Sequence, residues 1–190
     1  YGPDIDARTY LEKFIHVTVP LVDTAEQESD TVIKKYIDFL SRGIASPQQN
    51  RHVELLNEFV FRYAMRKDLS LRALQKIYTA VALAFAVASD RTLFIAPLVG
   101  GLAILKLKHP DLYRKAKRGA LSYQDVEDLF GFNERANPAR VQHDIEWSAG
   151  FWRVATDPDA SEELRKEYGQ GLGRYNVAMK RLLPLLANEL

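Results

Sequence analysis

The sequence predicts an all-α protein, an irregular multi-helix bundle with one short β-strand near its N-terminus. From Thr24 onward, apolar residues recur at helical spacing almost throughout. Strand-like alternation occurs once, in "HVTVP" at 16–20, and helix-start and helix-stop residues punctuate the rest. At 190 residues, 47% hydrophobic and 27% charged, the chain is long enough to bury one substantial core.

The first element follows from Asp6, a good N-cap, with Ile5 and Tyr10 spaced to form a hydrophobic staple. Tyr10, Leu11 and Phe14 give that helix its apolar face, after which Val17, Thr18 and Val19 alternate as a strand and Pro20 stops the run. In "AEQESDTVIKKYIDFLSRG" the stripe is Ile33, Ile37, Leu40 and Ile44, with Gly43 as the stop. Ser46-Pro47 reads as the next start, followed by Val53, Leu56, Phe59, Val60 and Tyr63 on one face. A third helix begins at Ser70 and runs through "LRALQKIYTAVALAFAVAS"; a fourth, "TLFIAPLVGGLAILKLK", is punctuated by Pro97 and Gly100-Gly101.

Shorter helices are expected in "PDLYRKAKRG" and in "SYQDVEDLFGF", capped by Ser122. Val141, Ile145, Ala149 and Trp152 then share one face of "NPARVQHDIEWSAGFWRVATD". "SEELRKEYG" and "RYNVAMKRLLPLLANEL" close the chain, with Pro184 kinking or ending the last helix. No internal repeat or long linker divides the sequence.

Several chemistries are disfavoured. The absence of cysteine excludes disulfides, thiolate metal sites and cysteine nucleophiles, and fits a cytoplasmic protein. The apolar segments Ile77–Ser89 and Leu93–Leu105 are each about 13 residues, short of the roughly 18–20 that span a bilayer, so buried core helices are expected and a membrane role is not. "GQGLGRYN" at 169–176 lacks the lysine and hydroxyl of a Walker loop. His16, His52, His109 and His143 are isolated, and His143, Asp144 and Glu146 do not share a helical face, so no metal site is expected.

Net charge is +1, which gives no global drive toward nucleic acid, but basic residues are unevenly spread. Lys106, Lys108, Arg114, Lys115, Lys117 and Arg118 crowd into "KLKHPDLYRKAKRG", a candidate nucleic-acid contact or a solvated face. Arg72 stands in the first turn of the helix capped by Ser70, the unfavourable end for a cation unless it faces an anion such as phosphate.

Three stretches together resemble the KAP family of P-loop NTPases. "YGPDIDARTYLEKFIHVTVPL" is similar to the family segment near "YG-x-D-x-D-A-x-x-Y-L-x-K-F" that leads into the last core strand. "LSLRALQKIYTAVAL" resembles the lid segment that commonly reads "S-P-R-x-x-K-R-L-L-N", with Leu71 where proline often stands and Tyr78-Thr79 in place of Leu-Asn. "LAILKLKHPDLYRKAKRGALS" is similar to a stretch ending "P-x-L-Y-x-x-L-R-x-G".

The resemblance covers roughly residues 1–122 and implies an organisation. Residues 1–22 would end a P-loop core, 23–122 would form a helical lid, and 123–190 a C-terminal helical extension packed on that lid. Arg72 would take the place of the lid arginine, comparable to the sensor arginine of AAA+ relatives, and Lys76 that of the second basic residue. The Walker motifs are not in this chain, which lacks an initiator Met and is expected to be a piece of a longer protein. The chain alone would then carry no catalytic residue and no cofactor, whereas the parent would bind ATP and Mg²⁺ and be an ATPase.

Expected partners are the upstream P-loop core of the same chain and a protein of unknown identity, with self-association through the strand at 16–20. By analogy the resemblance extends to bacterial phage defence. The competing reading is a self-standing helical module that contacts nucleic acid or protein through 106–118.

Overall fold

The computed structural model of the chain describes residues 26–44, 50–87, 95–134, 139–157, 160, 162–169, 184 and 186–187. Among them the structure is helical: α1 (Glu26–Ser41), α2 (Asn50–Lys67), α3 (Leu71–Val87), α4 (Ala96–Lys108), α5 (Pro110–Lys117), α6 (Tyr123–Phe130), α7 (Ala139–Thr156) and α8 (Glu162–Gly169). The expected helix after Asp6, the strand at 16–20 and the Ser46-Pro47 start lie outside the described residues, as does the link at 169–176 beyond Gly169.

The most apolar helix is the one that the others surround. Every residue of α4 from Ala96 to Leu105 is buried, and α4 packs against α2, α3, α5 and α7. A helix apolar on all faces has no solvent side to offer, so it becomes the core. Pro97 lies in its first turn, where a missing N–H costs nothing, and the Ile95 carbonyl accepts the first helical bonds.

The Gly100-Gly101 pair does not break this helix, contrary to its expected role as punctuation. Instead it lets neighbours approach from two sides. A Cβ on Gly100 would meet Leu56 Cδ1 of α2 at 2.7 Å, and one on Gly101 would overlap the Trp152 indole of α7. The Trp152 Nε1–H donates to the Pro97 carbonyl at 3.2 Å, so the ring is oriented as well as buried.

Around α4 the predicted stripes face inward. Val53, Leu56, Phe59, Val60 and Tyr63 of α2 and Ala73, Leu74, Ile77, Tyr78 and Val81 of α3 are all buried. Each fully buried aliphatic or Phe side chain contributes about 1.5–3 kcal/mol relative to exposure. α1 closes over α2 and α3 with Ile37. A polar tie pins the three helices: Tyr78 Oη donates to Asn57 Oδ1 at 2.7 Å, and Asn57 Nδ2 donates to Ser41 Oγ at 2.9 Å.

α6 starts as expected at Ser122, whose hydroxyl accepts the Asp125 N–H while the Asp125 carboxylate accepts the Ser122 N–H, a capping box. It ends at Gly131, held at φ 70, a left-handed turn that glycine tolerates best. Phe130 then enters an aromatic cluster, its ring centroid 5.1 Å from Phe59 and 5.3 Å from Trp152. α6 and α7 are thereby joined to the α2–α4 core.

Candidate functional site

The turn between α2 and α3 sets the site. Asp68 takes φ 46, a left-handed conformation that aspartate accepts more readily than most residues. Buried Leu69 follows, its N–H bonded to the Ala64 carbonyl at 3.0 Å. Ser70 then caps α3, its hydroxyl accepting the Ala73 N–H at 3.3 Å. Arg72 and Lys76, four residues apart, project from one face into solvent.

α4 packs on α3, and its last turn brings Leu107 and Lys108 to the same place. Ser70, Arg72, Ala73, Lys76, Leu107 and Lys108 line an open cleft of about 170 Å³. Among the described residues no carboxylate pairs with Arg72, Lys76 or Lys108. Arg72 also stands at the positive end of the α3 dipole, which costs about 0.3–1 kcal/mol, and like charges at this helical spacing cost roughly 0.2–0.5 kcal/mol more. An anion in the cleft reverses both terms, and guanidinium and helix N–H groups are well matched to phosphate oxygens.

His109 follows Lys108 in the chain and is the residue that ends α4 and begins α5. Its N–H bonds to the Leu105 carbonyl at 2.8 Å and its carbonyl accepts the Tyr113 N–H at 3.0 Å. Its Nε2 lies 2.9 Å from Tyr63 Oη of α2. Burial pushes the imidazolium below the ordinary histidine range, and the nearby Lys67 and Lys108 charges push it the same way.

Of the six basic residues between 106 and 118, Lys106 and Lys108 lie on α4, Arg114, Lys115 and Lys117 lie on α5, and Arg118 follows it. Lys108 belongs to the cleft. Lys106 is exposed and already interacts with another group. Arg114 pairs with Asp111, and Lys115 Nζ lies 2.7 Å from Asp125 Oδ1. Burial works against the Asp125 charge, but the Lys115 and Ser122 hydrogen bonds prevail and hold its carboxyl below the usual range. Lys117 and Arg118 are exposed at the end of α5. The cleft lining contains no carboxylate, imidazole or thiol, so it offers no metal ligand set.

In the sequence Arg72 stands out by its place in the first turn of its helix, Lys76 joins it only through the family resemblance, and Lys108 falls in the basic group at 106–118. The signal that could have joined them is the apolarity of α4, which requires it to lie beneath α3. No family model matches this chain, and neither the curated proteins nor the solved structures contain a match to it.

Proposed function

We propose that this chain is the helical lid and interaction region of a KAP-type P-loop ATPase, with Arg72 and Lys76, joined by Lys108, facing the phosphates of the nucleotide. One observation carries the reading: three cations from two helices converge on one cleft, and among the described residues no carboxylate pairs with them. The family assignment itself rests on the three stretches of sequence resemblance. On this reading the catalytic P-loop, Mg²⁺ and the attacking water belong to the core, and the lid senses whether the phosphates are present. A bacterial setting and a role in phage defence extend the same resemblance by analogy, and the absence of cysteine fits a cytoplasmic setting.

In the protein carrying the P-loop core, Arg72→Ala is expected to lower ATP turnover about tenfold, equivalent to ~1.4 kcal/mol of transition-state stabilisation. Steady-state hydrolysis with a nucleotide titration checks this; unchanged turnover together with unchanged affinity removes Arg72 from the site. The chain alone is expected to bind ATP no tighter than about millimolar, near −4 kcal/mol. Nucleic-acid contact through 106–118 has less to stand on, because Arg114 and Lys115 are already paired with acids.

A further inference from the structure

The cleft between α3 and α4 is selective in the groups it offers a ligand. Its charged side chains, Arg72, Lys76 and Lys108, carry donors only, since neither a guanidinium nor an ammonium accepts a hydrogen bond. Ser70 is the other polar side chain of the lining, and its oxygen already accepts the Ala73 N–H. Ala73 and Leu107 complete the wall. No lining side chain is a carboxamide, the group that pairs with adenine by donating and accepting together. None is aromatic, so a base finds no ring to stack on.

Size points the same way. Pockets that bury a drug-sized molecule run to roughly 300–1,000 Å³, whereas this open cleft is about 170 Å³. Cations that only donate, a wall without a stacking surface and a small volume suit one kind of group, a phosphate chain, whose oxygens are acceptors and whose substituents can stay in solvent.

We infer that the cleft reads the phosphate chain of its ligand and not the base, so that its ligand class is the polyphosphate chain itself, carried by ATP, by GTP or by inorganic tripolyphosphate. This inference rests on the anion-facing reading of the cleft and narrows it. Any preference of the whole protein for one base is then set by surfaces other than this cleft.

The test follows the amides of Arg72, Lys76 and Lys108 by NMR in the full chain. ATP, GTP, tripolyphosphate or adenosine is added at millimolar concentration without Mg²⁺, at matched, low ionic strength. Lys117 and Arg118, exposed at the end of α5, report diffuse ionic effects. The three phosphate compounds are expected to bind with dissociation constants within about threefold of one another, and adenosine is expected to leave the amides unmoved. Arg72→Ala is expected to weaken all three by a common factor of about two to five, the range of an exposed charge pair.

A wider spread among the three compounds, or a loss in Arg72→Ala that differs between them, means that sugar or base is read in the cleft; the inference is then overturned and the anion reading stands. Adenosine moving the amides by itself overturns it as well. If none of the three moves the amides of Arg72, Lys76 and Lys108, or if Lys117 and Arg118 shift as much, the anion reading fails and the inference fails with it.

Discussion

At the scale of single residues, His109 links stability to pH. Burial and the Lys67 and Lys108 charges set its folded-state proton affinity below the unfolded one. As the pH falls through the ordinary histidine range, the unfolded chain takes up a proton that the folded chain does not. Folding is therefore disfavoured progressively, until the folded state protonates as well. This contribution is complete above the ordinary range and is lost below it, the reverse of a histidine that gains an acidic partner. Urea midpoints compared across that range for the parent chain and His109→Gln check the sign. The parent is expected to lose more stability on acidification than the variant, and parallel losses would show that the ring's surroundings do not perturb it.

At the scale of elements, α4 decides how closely its neighbours can approach, and its glycines make that testable. Gly101→Ala gains about 0.8–1.0 kcal/mol of helix propensity. Against this, the new methyl runs into the Trp152 ring and comes within 3.2 Å of Phe130 Cζ, and neither ring has open space to retreat into. Overpacking of this kind costs roughly 1–3 kcal/mol, so the net effect is expected to be destabilising. Gly43→Ala is the control, since a Cβ there meets nothing within 4 Å and no left-handed backbone is required. Thermal melts are expected to show a lowered midpoint for Gly101→Ala and an unchanged or slightly raised one for Gly43→Ala.

The same helix shows which features the sequence made legible. Ser122 and Asp125 form their capping box from local chemistry alone, and the Val53–Tyr63 stripe is periodic whatever it packs on, so both could be read directly. Gly100-Gly101 could not, because a glycine's local signal is a break and its use here depends on Trp152, far along the chain. The cleft divides in the same way. Arg72 and Lys76 are neighbours by helical spacing, whereas Lys108 joins them only through the packing of α4 on α3. Sequence proximity placed Lys108 with Arg114 and Lys115, but the helix restarts at Pro110 and each of those two finds its own acid.

At the scale of the whole molecule, the proposed reading sets a boundary near residue 122, between a lid and a C-terminal extension. The packing does not follow that boundary. Phe130 of α6 lies against Phe59 of α2, and Arg66 Nη1 of α2 is 2.9 Å from Glu134 Oε1 beyond α6. Trp152 of α7 is fully buried against α4 and bonded to the Pro97 carbonyl. Removing α7 would open the core helix itself, and truncating a buried tryptophan alone costs about 3–5 kcal/mol. The described helices are therefore expected to unfold as one cooperative unit. Tryptophan fluorescence, to which Trp152 contributes from the interior, and far-UV circular dichroism, which reports all helices, are expected to give coincident urea midpoints. A fluorescence transition at clearly lower urea, with most helix retained, would mean that α6–α8 come away first and that the α2–α4 core stands without them.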